Sequence, residues 1–238
     1  MPTCSGLLNA LSPQRSLRSA SDHWLGDQIA LEALVRFVDE ELKHQELFRR
    51  IETMIAGGMP EGYSFSSQPD EVAAVVLEKS TWAVLALTFQ IELFTQSHYK
   101  QSIESDENLS ELYKDLFLFH WKEESTHALM DEIEWPREDK KLTAGERDRS
   151  VDELIELVAA VDDILQNQCA DDVGYFLKNC NRSFDGSELT QIRESVLAAY
   201  RWQYIFSGVQ HKRFSVLLGN LTTEAQRKRI NNAMETIM

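Results

Sequence analysis

What this chain is short of narrows its class first. Five prolines and ten glycines in 238 residues leave long stretches without a breaker. None of those stretches shows the strict alternation of a strand, so the sequence predicts helices. The three cysteines, Cys4, Cys169 and Cys180, are an odd number and contain no Cys-x-x-Cys pair. That argues against a disulfide frame or a zinc site and for reduced thiols in a cytoplasmic protein. No run of about 18 apolar residues is present, which speaks against a membrane span. Arg15 and Arg18 near the start are not followed by the apolar stretch of a signal sequence. Cations are scarce as well, with 24 Lys and Arg against 39 Asp and Glu and a formal net charge of -15. Neutralising a nucleic-acid backbone requires the opposite balance, so no nucleic-acid partner is expected. A field of this sign steers cations toward the protein.

What remains is an ordinary globular composition, 43% hydrophobic and 26% charged, in a chain long enough for one sizeable core. Residues 1–22 are rich in Ser and read as a poorly ordered leader; 23–238 read as a single helical domain. The first helix runs from a cap at Ser21 or Asp22 to about Ala56, where Gly57, Gly58 and Pro60 stop it. The second starts at Pro69-Asp70 and reaches about Ile103. A third starts at Asp106 or Ser110 and ends before Pro136, followed by a charged, solvated connection over 136–148. Further helices are expected at about 150–178, 187–218 and 222–236. The class is all-α, an antiparallel bundle with additional C-terminal helices.

Polar residues interrupt the apolar faces of three of these helices. In the first, Leu34, Phe37, Glu41, His44, Phe48 and Ile51 share one side. In the third, the inward line reads Tyr113, Phe117, His120, Glu124, His127 and Asp131. Between them lies a helix that is apolar almost all round from Trp82 to Phe94, with Glu92 its one ionisable residue. A carboxylate in such a setting costs several kcal/mol unless it is paired, protonated or bound to a metal. Glu40-Glu41-Leu42-Lys43-His44 and Glu123-Glu124-Ser125-Thr126-His127 share the form Glu-Glu-x-x-His. One Glu-x-x-His arises easily by chance in a chain with six His; two on inward faces with a buried Glu between them do not. The i, i+3 spacing lets one helix offer a carboxylate and an imidazole to one metal, and N/O donors suit iron or manganese.

Two Glu-x-x-His copies flanking a helical Glu resemble the ferritin-like di-iron carboxylate superfamily. His120, four residues before Glu124, is similar to the added histidine of the p-aminobenzoate N-oxygenase group within it. The resemblance covers about residues 30–132. It implies a ferritin-like bundle with Glu41, His44, Glu92, His120, Glu124 and His127 as metal ligands. The superfamily has a further carboxylate on a helix ahead of the first motif, where this chain offers only Glu32, about half a turn out of phase with Glu41. Asp163 or Asp162, set among apolar residues, are the candidates for that place. Glu40, Glu123 and Asp131 are candidates to hold the outer ring nitrogens of the ligating imidazoles. The implied cofactor is a pair of iron ions, with manganese as the substitute. The implied partners are O2, an external electron donor and a small organic substrate, amines included; a homodimer is compatible with it.

Two other readings of the same residues stay open. One is a non-catalytic metal-binding or interaction protein whose site has decayed; the other is a metal-dependent hydrolase. His120 beside Trp121 also fits a helix-surface histidine. His98, six residues beyond Glu92, is off its face and reads as structural. Tyr200, Trp202, Tyr204 and His211 read as packing.

Overall fold

The computed structural model describes residues 28–63 and 74–237. The expected leader, the cap at Ser21 or Asp22 and the helix start at Pro69-Asp70 lie outside the described residues. Among those described there is no strand, and the helical class expected from the sequence is what the chain adopts. Its long helices are α1 (Gln28–Ala56), α2 (Thr81–His98), α3 (Glu111–Asp139), α4 (Ala144–Asn179) and α5 (Gly186–Arg201). Two shorter ones follow, α6 (Lys212–Leu221) and α7 (Glu224–Glu235). None of the described helices is long and apolar enough to cross a membrane. Cys169 and Cys180 are free thiols.

α2 is the axis of the molecule. Every residue from Trp82 to Thr95 is buried, as a helix apolar on all sides must be. α3, α4, α6 and the segment Trp202–Val209 that follows α5 surround it, while α7 packs on α4 and α1 lies against α3. Ser80 opens α2 as its N-cap, its side chain accepting from Ala83 N. The same residue ties α2 to α4 through Ser150 Oγ at 2.9 Å and through its backbone N–H to Glu153 Oε2 at 2.9 Å.

α3 does not stop before Pro136 but continues to Asp139. Proline removes one backbone donor and crowds the preceding turn, so the last turn depends on tertiary ties. Trp135 is fully buried between Trp82, 5.1 Å away, and Phe214, stacked at 5.6 Å. Asp139 then accepts from Trp82 Nε1 at 2.9 Å and from Arg147 Nη2 at 2.8 Å. The solvated connection expected over 136–148 therefore shrinks to 140–143. α4 starts at Ala144 because Thr143 and Glu146 form a reciprocal capping box. Asp185 with Glu188, and Thr223 with Gln226, cap α5 and α7 in the same way.

The helix expected over 187–218 is also broken. α5 passes into a π-helical turn, Trp202–Phe206, and one α turn, Ser207–Val209, before His211 caps α6. Gln90 on α2 explains the register: its Nε2 donates to the Tyr204 carbonyl at 3.0 Å and the Ile205 carbonyl at 3.1 Å. A buried side chain thus satisfies acceptors inside the π turn. Gly208 lies so close to Gln90 that an added Cβ would collide with its carbonyl.

Candidate metal centre

α1, α2 and α3 bring the six expected ligands together. Glu41 and His44 project from α1, Glu92 from α2, and His120, Glu124 and His127 from α3, and all six are buried. Their donor atoms form two groups, each within 4.8 Å. One comprises His44, His120 and Glu124; the other comprises Glu41, Glu92, Glu124 and His127. Glu124 belongs to both. Its Oε1 lies 3.1 Å from His44 Nδ1 and 2.7 Å from His120 Nε2, while its Oε2 lies 3.0 Å from His127 Nδ1. Glu41 spans the same gap with Oε1 3.0 Å from His127 Nδ1 and Oε2 3.9 Å from His44 Nδ1. Adjacent donors about 2.1 Å from a six-coordinate cation stand about 3.0 Å apart, so this spacing is one a divalent ion accommodates.

The outer nitrogens of two of the imidazoles are held from behind. His44 Nε2 meets Glu123 Oε2 at 2.7 Å, and His127 Nε2 meets Glu40 Oε2 at 2.9 Å. A carboxylate there takes the Nε2 proton and turns Nδ1 inward, toward Glu124 in His44 and Glu41 in His127. Lys43 in turn bonds Glu123. Asp131 is buried in the same line and accepts from Thr88 Oγ1 at 2.6 Å. Aromatic rings close the surroundings: Phe37 lies 4.2 Å from the His127 ring and Phe48 4.9 Å from His120, and Phe117 packs on Phe48 at 5.7 Å. Lys43 and Thr88 were not foreseen from the sequence, although Lys43 stands beside His44 in the first motif.

Electrostatics show what the cluster holds when it has no cation. Burial opposes charge on the motif imidazoles, yet Glu124 and Glu41 push His44 up to about 10 and His127 up to about 11. Burial, reinforced by Glu124 and Glu41, drives Glu92 well above the carboxylate range. Burial would do the same to Glu124, but the charge on His120 and bonds from Glu92, His120 and His127 hold it well below that range. Protons on Glu92, His44 and His127 thus balance the cluster, and these are the protons a bound cation would displace. Within the cluster, two buried atoms have no well-formed hydrogen bond: His44 Nδ1, although it lies 3.1 Å from Glu124 Oε1, and Glu92 Oε2. One belongs to each donor group, so the donor set fits a pair of divalent ions.

No family model, curated protein or solved structure matches the chain.

The expected aspartate ligands need correcting. Asp162 is buried but points to α5, where Arg201 grips it with Nε at 2.6 Å and Nη2 at 2.8 Å. Asp163 is exposed, since neighbours on a helix cannot both face inward. Neither joins the cluster, and Glu32 is exposed as well. The donor set is therefore three carboxylates and three imidazoles. Of the aromatic group near the C-terminus, Tyr200 bonds Asp172, Tyr204 packs on Phe94 at 5.4 Å, and Trp202 is exposed.

Proposed function

We propose that this chain is a metal-dependent oxidoreductase of ferritin-like architecture that uses two ions, iron first and manganese as the substitute, to activate O2 against a small organic substrate. The observation that carries the reading is the division of the two Glu124 oxygens between His44 and His120 on one side and His127 on the other. A carboxylate so placed would serve both donor groups at once, and the three carboxylates and three imidazoles would together hold the ions. When bound, the ions supply the electron transfer that amino-acid side chains lack.

The chain's own residues supply the rest. Glu41 and Glu124 each reach both His44 and His127 and would be shared between the two donor groups. Glu40 and Glu123 fix the tautomers of His127 and His44, and Lys43 anchors Glu123. Glu92 holds a proton in the absence of a cation and gives it up on ligation. Phe37, Phe48 and Phe117 reduce the water around the imidazoles, which strengthens the electrostatics of the site. His120 adds an imidazole rather than a carboxylate to its donor group, which holds one carboxylate, Glu124, against three in the group of Glu41, Glu92, Glu124 and His127. Electrons come from an external donor.

The test is metal analysis of protein purified without chelator, followed by O2 uptake in the presence of a chemical reductant. Near two irons per chain, an absorption change on reduction and re-exposure to O2, and loss of both in Glu124→Ala are expected. Protein that stays metal-free, with melting unchanged by added iron, sinks the proposal; metal binding with hydrolytic turnover that ignores O2 replaces it.

A further inference from the structure

On the side of the molecule built by α2, α4, α6 and α7 there is a cavity of about 160 Å³. Leu87, Leu154, Phe214, Leu218 and Ile230 form its walls, and none of its lining residues belongs to the carboxylate–imidazole cluster. Leu87, Leu154, Phe214 and Ile230 are themselves buried, so the floor of the space lies in the core, while Val158, Leu218, Ala233 and Met234 at its sides are partly exposed. It opens at exposed Ala159 and Thr236. We propose that this cavity binds a small uncharged hydrocarbon group, of the size of one aromatic ring or a short alkyl chain.

Three features select that class. Polar wall groups are already committed: Gln90 Nε2 donates to the Tyr204 and Ile205 carbonyls, and Thr236 Oγ1 donates to the Ala233 carbonyl at 2.7 Å. Water needs two to four polar partners to settle in a cavity, and an apolar cavity of about 150 Å³ stays dry and accepts benzene or xenon. Close-packed interiors seldom leave such a space, because the lining forfeits its dispersion contacts. An apolar guest restores them. Finally, none of the residues that line the cavity is charged. An anionic guest would find no cation there to pair with, so it is disfavoured.

The experiment uses the full chain with benzene as probe and benzoate as its charged counterpart, read by thermal melting and by xenon NMR. Benzene is expected to raise Tm saturably by a few degrees, since a ligand of the folded state stabilises it by mass action, while benzoate leaves Tm unchanged. Ala233→Leu fills the space: it should raise Tm without ligand and remove both the benzene shift and the xenon signal. Leu218→Ala enlarges the space and should admit naphthalene, which the parent chain excludes. Absence of a benzene shift in the parent chain, an equal shift in Ala233→Leu, or equal responses to benzene and benzoate overturns the proposal. Metal content is unaffected by either variant, which separates this outcome from failure of the metal centre.

Discussion

α1 and α2 face each other across the same cluster, yet they are held by different forces. α2 buries every residue from Trp82 to Thr95 and is fixed by apolar area, worth about 25 cal/mol per Å² removed from water. In α1, which has 29 residues, only Phe37, Glu41 and His44 are buried among those whose burial is described. Two of the three are candidate ligands. Leu31, Val35, Leu42 and Met54 of the same helix remain exposed. α2 therefore stays docked whatever the state of the site, whereas the docking of α1 is tied to its charge balance.

Leu85→Ala in α2 should cost about 2–5 kcal/mol of stability, as buried Leu truncations do. Leu42→Ala on the open face of α1 should stay within about 0.5 kcal/mol. Chemical denaturation of the metal-free chain measures both, and equal losses would show that α1 is buried as deeply as α2.

Metal should sharpen the contrast. At about 100 times Kd a ligand stabilises the state it binds by about 2.7 kcal/mol, a factor of about 100. Hydrogen exchange in α1 should then slow by up to that factor on adding Mn2+, and exchange at the centre of α2 should change little. In Glu124→Ala the α1 response should vanish; uniform slowing of both helices would argue against ligand-held docking.

A weaker perturbation acts behind the ligands. Glu123→Gln keeps the shape but loses the charge that holds His44 Nε2 and Lys43. Metal affinity should fall by roughly 10- to 100-fold, read by competition with a chelating dye, with the melting of the metal-free chain nearly unchanged.

The smallest effect belongs to the end of α2. Burial, with the nearby His120 charge, holds His98 below its usual value of 6.5 despite a bond to Gln203. A depressed histidine gives stability that is fully present above 6.5 and is lost as pH falls through the folded-state value. Melting of the metal-free chain followed downward from pH 7 should show a decline that His98→Gln reduces; an unchanged slope in the variant removes His98 from the account.

Much of the cluster could be read from the sequence because its signals are local. Glu41 and His44, or Glu124 and His127, sit three residues apart, and helical periodicity alone puts each pair on one face. Glu92 stood out because its neighbours are apolar all round. Asp162 was misread because its partner, Arg201, lies 39 residues away on another helix. The run through Pro136 was equally hidden, since Trp82, Arg147 and Phe214 hold that turn from distant parts of the chain. The Thr143–Glu146 box, by contrast, was present in the sequence as a Thr-x-x-Glu signal, and the charge of the surrounding segment masked it.

Sequence by itself determined the helical class and the two inward-facing Glu-x-x-His pairs, because propensity and a 3.6-residue period act within a few residues. Only the tertiary structure decided that Glu124 is shared between two donor groups, that Asp162 serves Arg201, and that α5 breaks where Gln90 reaches its carbonyls. Each of those outcomes depends on which helices meet and at what rotation. That is fixed by burying α2 on all sides, a condition no single segment encodes.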